Sequence, residues 1–339
     1  MSQPELRLPV IGITMGDPAG IGCEVILKAL RHAEVYSLCH PIVCGDLAWL
    51  ERVAHDLKIP LRLLPDTEAV PDVDVVAVRQ TTHTDLSQVC YGHLSAEAGR
   101  AAAESVIIAT HLAMEQYLDA IVTAPLNKEA MARGGYSYPG HTELLAEITH
   151  TPKYGMFLST GTLRVIHVST HVSLREAIER VKTPRILECI RLGQEGCRQL
   201  GIASPRVAVA GLNPHAGENG LFGTEDSEEI APAVRLAQQE GILASGPHPP
   251  DTIFARTAQG EFDVVVAMYH DQGHIPVKLH GFDSGVNITL GLPIIRVSVD
   301  HGTAFDIAGR GIAREESLLE ALRVAVQMVK AREQTSLTT

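Results

Sequence analysis

The sequence predicts a mainly parallel α/β fold, on two observations. Short β-branched runs alternate with longer segments of helical periodicity, the pattern of strand–helix–strand units. Polar, glycine-rich clusters follow the apolar runs repeatedly, where loops leave the carboxyl ends of strands in open α/β sheets. At 339 residues the chain suffices for one large domain or two ordinary ones.

In chain order, strands are expected at 10–14, 41–45, 73–78, 120–123, 163–168, 207–210, 264–268 and 293–297. Helices are expected at 22–31, 96–117, 184–200, 227–240 and 315–330. The 96–117 segment keeps small and apolar residues at helical spacing, so one face should pack on a sheet. No internal repeat or low-complexity linker interrupts the text. A domain boundary therefore falls within continuous α/β structure, near 125–140. This gives a first domain of 1–130 plus 300–339 and a second of 131–299, with the last helix returning to the first.

Apolar residues make up 45% and charged residues 20%, which excludes a disordered tail, a collagen-like fibre and a coiled coil. No apolar run reaches the roughly 18 residues of a membrane span, and the start MSQPELRLP lacks a signal peptide's apolar core. A cytoplasmic location is expected. Lys and Arg number 28 against 40 Asp and Glu, a formal charge of −12. This balance disfavours nucleic-acid binding yet permits a local cationic pocket for a small anion. Six scattered cysteines without a CxxC pair read as reduced core thiols. Aromatics are sparse at 4%, and histidine is abundant at 16 copies.

The clusters MGDPAGIG, TAPLNK, GLNPHAGENG and YHDQGH each follow an expected strand and should converge on one crevice. His171, His215 and His270 all lie after apolar strands among small or polar neighbours. Three imidazoles from separate loops suit a catalytic divalent metal with open positions; the bland alternative is three hydrogen-bonded histidines at strand ends. His141 and Thr142, in GHTELL before a helical stretch, offer an imidazole, a hydroxyl and backbone N–H groups to an anion, or a plain N-cap by Thr142. Lys278, Asn287 and Arg296 recur every nine residues through apolar, glycine-rich text. Lys278 and Arg296 therefore adjoin buried strands, and each needs an internal acid or a ligand anion as partner. GDPAGIG is not GxGxxG and does not read as a dinucleotide phosphate loop. DHGTAFDIAGRG, at 300–311, lets a backbone approach a ligand closely.

In this order MGDPAGIG, TAPLNK, GHTE, GLNPHAGE, PPDT, MYHDQG, VNITLGLP and DHGTAFDIAG resemble the 4-hydroxythreonine-4-phosphate dehydrogenase family, from about Ile11 to Lys330. The segment at 300–311 is also similar to the nucleotide loop of isocitrate and isopropylmalate dehydrogenases. The resemblance implies two α/β/α domains with a cleft between them, a homodimer with the site at its interface, NAD or NADP as oxidant, and one divalent metal such as Zn, Mg, Mn or Co. It places the metal on His171, His215 and His270, and substrate on His141, Thr142, Lys278, Asn287 and Arg296. Lys278, Asp271 and Asp251 take catalytic positions, and His301, Gly302, Thr303, Ala304 and Asp306 the nucleotide.

The implied chemistry is oxidation of the 3-hydroxyl of a four-carbon 4-phosphorylated acid, followed by decarboxylation. Two departures bear on the substrate. His274 is added, and Asp283 and Ser284 replace a Gly-Arg pair of the biosynthetic members. This pattern is more similar to the branch acting on D-threonate or D-erythronate 4-phosphate than to 4-phosphohydroxy-L-threonine dehydrogenases. A dihydrodiol dicarboxylate dehydrogenase and a non-catalytic phospho-metabolite sensor are less favoured readings.

Overall fold

The computed structural model describes residues 7–70, 72–281 and 285–338. The chain divides into two compact units, Met1–Pro152 with Leu292–Lys330, and Lys153–Gly291 with Ala331–Thr339. Asp283 and Ser284, singled out above, lie outside the described residues.

The first stretch runs β1 (Val10–Thr14), α1 (Gly22–Ala29), α2 (Ala33–Leu38), β2 (His40–Gly45), α3 (Leu47–Asp56), β3 (Arg62–Pro65), β4 (Val75–Gln80), α4 (Ala96–Met114), β5 (Ala120–Thr123), α5 (Lys128–Arg133) and α6 (His141–Ile148). The second unit follows with β6 (Gly155–Thr160), β7 (Leu163–His167), α7 (Leu174–Glu179), α8 (Thr183–Gln199), β8 (Arg206–Ala210), α9 (Ala231–Gln239), β9 (Leu243–His248), α10 (Pro250–Ala258), β10 (Val264–Ala267), α11 (His270–His280) and β11 (Val286–Leu290). The chain ends with β12 (Arg296–Val299) and α12 (Glu316–Thr338).

In the first unit the strands lie in the order β3-β4-β2-β1-β5-β12, and every pairing is parallel. Ile13 pairs with Val43 on one side and Val122 on the other. β5 and β12 are buried at every residue, as strands with both faces covered must be; β5 is mostly apolar, whereas β12 buries Arg296 and Ser298. The expected strand at 293–297 begins at Arg296 instead. Pro293 has no N–H to give a ladder, and pairing with β5 starts at Arg296 opposite Ile121.

The second unit carries the order β11-β6-β7-β10-β8-β9. β7, β10, β8 and β9 pair in parallel, whereas β6 runs antiparallel to both β7 and β11. The β6–β7 hairpin turns at Gly161 and Thr162. The sequence reading expected no strands at β3, β6, β9 and β11, which are short, edge or mixed-polarity segments.

Helix α4 is more deeply embedded than one amphipathic face requires. Its Ala98, Ala101, Ala102, Ala103, Ala109 and Ala113 are all buried, because small side chains let it lie against both the sheet and α5. Gly99 is the tightest point: a Cβ there would stand 2.0 Å from the Ala130 backbone. The cysteines are all free, with only Cys90 exposed. Burial pushes the thiols of Cys23, Cys39, Cys44, Cys189 and Cys197 up to about 12, in keeping with inert core thiols. Among the described residues no helix is long and apolar enough to cross a membrane.

The α4–α5 approach yields a direct test. Gly99→Ala should cost roughly 2–3 kcal/mol by overpacking, read as a lower urea midpoint with an unchanged slope. A loss under about 0.5 kcal/mol, the range of innocuous surface changes, would mean that the helices stand further apart.

Candidate functional site

In the first unit, the start of α6 gathers positive charge. Its N-cap is Gly140 and no side chain caps it. Thr142, expected as the cap, is instead the second helical residue. His141 opens the helix with its Nε2 enclosed and without a hydrogen-bond partner. Burial, then the charges of Arg296 and Lys128, hold its pKa well below the usual imidazole range. Arg296, on β12, is 2% exposed. Its Nη2 donates to Thr123 Oγ1 at 2.6 Å, and burial pulls the guanidinium down to about 9 against the opposing charge of Glu143. The internal acid anticipated as partner is thus Glu143, acting through its field. Lys128 opens α5 behind an Asn127 cap that accepts from Ala130 N at 2.9 Å. Lys128 ends the TAPLNK motif, where nothing in the local sequence marks it as a site residue. A buried arginine, an exposed lysine, an enclosed imidazole nitrogen and a helix start together suit an anion.

The same unit holds the segment at 300–311. Ile21 N donates to Thr303 O at 3.0 Å, and Gly92 N donates to Ala19 O at 2.8 Å. GDPAGIG therefore buttresses this loop. Asp17 within it is buried; its Oδ1 accepts from Ala19 N at 2.9 Å, and burial raises its carboxyl to about 6. Gly302 faces open space, Ala304 takes a positive φ of 43°, and Asp306 is exposed. His301 Nδ1 lies 3.0 Å from Gly302 O, with Nε2 enclosed. An exposed glycine backbone beside a hydroxyl and a carboxylate fits a nucleotide's sugar and phosphates.

The second unit holds the imidazoles. His171 lies past the end of β7, and its ring centroid is 5.7 Å from that of His270. His270 begins α11, so YHDQGH is a helix start and not a loop. Its Nδ1 lies 2.7 Å from Asp271 Oδ1. A carboxylate only accepts, so Nδ1 carries the hydrogen, and in the neutral ring the lone pair is then on Nε2. His215 repeats the arrangement, with Nδ1 3.2 Å from Glu218 Oε2. Carboxylate-backed imidazoles are the usual setting of metal-ligating histidines, so this donor chemistry fits a divalent cation. Within one chain the three do not converge: no group of three His, Cys, Asp or Glu among the described residues could hold an ion.

Two further histidines sit behind His270. His274 stacks on it, centroids 3.6 Å apart and planes at 11°, and burial followed by His270 lowers it to about 4. His167 is buried and held at about 3, first by burial and then by His274 and His270. Both are neutral imidazoles packed as core. Their signal in the sequence was one histidine ending a strand and one a helical turn beyond His270. Gln272 ties the cluster to the neighbouring loop, donating to Gly211 O and accepting from Met268 N, each at 2.7 Å.

Lys278 differs from expectation. It stands exposed on the last turn of α11 and not beside a buried strand. Asn287 pairs with Leu158 across β11 and β6. Asp251 is exposed on the first turn of α10. With His215, Asp271 and Tyr269 it lines a groove of about 880 Å³ whose other walls include Phe254, Ile275 and Leu279. A second hollow, about 450 Å³, holds His171, His270 and Asp271. Asp271 borders both.

The family model described as pyridoxal phosphate biosynthetic protein PdxA matches residues 37–325. A protein of Cupriavidus necator named D-threonate 4-phosphate dehydrogenase is 50% identical over 332 residues, covering 96% of this chain and 98% of its own. One of Desulforapulum autotrophicum named 4-hydroxythreonine-4-phosphate dehydrogenase is 47% identical over 326 residues, 94% of each. The crystal structure of a 4-hydroxythreonine-4-phosphate dehydrogenase from Klebsiella pneumoniae superposes with a TM-score of 0.87 at 46% identity, over 95% of this chain and 99% of that one. Matched by the family model over most of its length and by such relatives nearly end to end, the chain belongs to the PdxA family.

Proposed function

We propose that this protein is an NAD(P)- and divalent-metal-dependent dehydrogenase that oxidises the 3-hydroxyl of D-threonate or D-erythronate 4-phosphate and releases dihydroxyacetone phosphate and CO2. The observation that carries the reading is the pair of carboxylate-backed imidazoles, His270 with Asp271 and His215 with Glu218. The name of the Cupriavidus relative supports the choice of acid, as does His274. The second reading, 4-phosphohydroxy-L-threonine as substrate, is favoured by the Desulforapulum and Klebsiella names.

In this reading the phosphate falls to His141, Thr142 and Arg296, with Lys128 completing charge neutralisation. Burial matters here, because a guanidinium withdrawn from water gains more from a bidentate phosphate dianion than an exposed one does. His171, His215 and His270 would hold the cation, the lone pairs of His215 and His270 aimed by the acids on Nδ1. When bound, the cation supplies the Lewis acidity that makes the alcohol's proton easy to lose, and the nicotinamide accepts the hydride. Oxidation at C3 leaves a β-keto acid, whose C1–C2 bond then breaks with loss of CO2. Lys278 and Asp251, both exposed, are the side chains we assign to proton transfer and to substrate beside the metal set. Asn287 donates its amide to the substrate, and residues 301–304 with Asp306 cradle the nucleotide.

Because two imidazoles lie together and the third lies apart in one chain, the metal set is completed by a second copy. The groove bearing His215 is flanked by exposed apolar side chains, Ile275 and the 84%-exposed Leu279 one turn later, with Leu221 and Phe222 also exposed. Such a patch suits a homodimer interface.

Two measurements test the reading. Chelator-treated protein should lose turnover and regain it with Zn, Mg, Mn or Co, and kcat/KM should favour 4-phospho-D-threonate over 4-phosphohydroxy-L-threonine; the reverse preference selects the second reading. Lys128→Ala should raise KM for the phosphorylated acid roughly tenfold, the worth of one charge-assisted contact, with kcat little changed. An unaltered KM removes Lys128 from the phosphate site.

A further inference from the structure

The loop carrying His215 has a conformation that its residues do not favour. His215, Ala216, Glu218 and Asn219 take φ values of 51°, 56°, 42° and 57°, with Gly217 at 79° between them and Gly220 at 94° after them. Four residues bearing a Cβ thus run through a left-handed turn, which L-residues visit singly and seldom in succession. Something outside the turn must hold it.

Asp226 meets that requirement. It is 2% exposed, and no lysine or arginine pairs with it among the described ion pairs. Its Oδ1 accepts from Leu212 N at 2.9 Å; its Oδ2 accepts from Asn213 N at 3.2 Å and Asn213 Nδ2 at 3.0 Å. The same amide donates to Glu225 at 2.8 Å. The carboxylate also presses on the turn itself. A Cβ on Gly217 would stand 3.2 Å from Oδ2, and one on Gly211 would collide with Oδ1 at 2.7 Å and with Ala216. The entry to the turn is thus fastened to one buried acid, and its midpoint lies close against the same carboxylate.

We propose that Asp226 is a positioning residue for the metal site: it enforces the left-handed turn that presents His215, and so sets the affinity for a divalent cation without touching it. The inference rests on His215 being a ligand. It gives a purpose to a buried carboxylate that the reaction itself does not use, and to strain that the fold alone does not need.

The test is titration of metal-stripped, full-length protein with Co2+, followed by calorimetry and visible absorption. Asp226→Asn turns one acceptor into a donor facing N–H groups and should weaken Co2+ binding roughly 10–100-fold, the range of orienting residues around a metal. Ala216→Gly makes the left-handed backbone easy. It should leave wild-type affinity within about twofold and restore part of the loss in the Asp226→Asn background, since glycine carries no penalty at positive φ. A merely structural role for Asp226 would not produce that recovery, so its absence overturns the proposal. His215→Ala, measured in parallel, separates the two layers. Unchanged affinity there refutes the ligand reading, whereas loss there with retention in Asp226→Asn refutes only the role of Asp226. Should Asp226→Asn lack the native circular dichroism, Asn213→Ala removes a single donor and should still cost roughly two- to tenfold; no loss overturns the inference.

Discussion

Two strands that pair in parallel cannot be joined by a tight turn, so the chain must cross over, usually through a helix, and re-enter the sheet from the same end. In the first unit every ladder obeys this constraint, and in the second the four strands β7, β10, β8 and β9 do. Its consequence is that carboxyl ends share an edge. The segments after β1, β5 and β12 carry GDPAGIG, TAPLNK and the loop at 300–311. Those after β7, β8 and β10 carry His171, His215 and His270. The side chains with chemistry are there because parallel pairing leaves that edge free of tight turns, while both faces of the central strands are used up in packing.

The two units then treat charge in opposite ways. The first keeps a guanidinium out of water with a neutral hydroxyl as its hydrogen-bond acceptor, and places an enclosed imidazole nitrogen and a lysine nearby. Such an arrangement is stable only with a compensating negative charge. Glu143 supplies part of it by its field. The second unit removes charge instead. His167 and His274 are pushed down to about 3 and about 4, chiefly by burial, so they pack behind His270 as neutral rings. The imidazoles of His270 and His215 instead face carboxylates, Asp271 and Glu218. The first unit thus holds a buried charge at the start of α6, whereas the second packs its buried imidazoles uncharged.

The legible parts of the sequence were those governed by local physics. β1 and β5 fall at 10–14 and 120–123 as expected, because a strand buried on both faces is an apolar run and its ends are marked by polar text. The antiparallel β6 and β11 were missed, since Ser159 and Thr160 in one and Asn287 and Thr289 in the other interrupt the run. Lys278 was misread for a related reason. Pro276 argues against a helix, yet α11 continues through it and carries Lys278 into solvent. Thr142 looked like a cap because threonine caps well, but Gly140 takes that position. Lys128 was invisible as a site residue because its relation to His141 is tertiary: α5 and α6 must both pack on α4 before the charge of Lys128 reaches that imidazole. The histidines were legible as strand-end residues, and their carboxylate partners as sequence neighbours, whereas the convergence of His171 with His270 is a property of the sheet.

The turn at His215 is where local preference and fold disagree most, and the disagreement has a direction. Each left-handed residue with a Cβ costs roughly 1–2 kcal/mol, so four of them weigh against the conformation by an amount comparable to several ordinary hydrogen bonds. Glycine at 215, 216, 218 and 219 would relax that cost but would also free the backbone and delete the imidazole and its carboxylate. A chain needing only a surface turn would take the glycines. This one keeps His215 and Glu218 in the strained segment and sets Gly211 and Gly217 beside it, where the buried Asp226 leaves little room for a Cβ. If His215 is the ligand we propose, rigidity at that point would leave the imidazole little to order on meeting a cation, which lowers the entropic cost of binding.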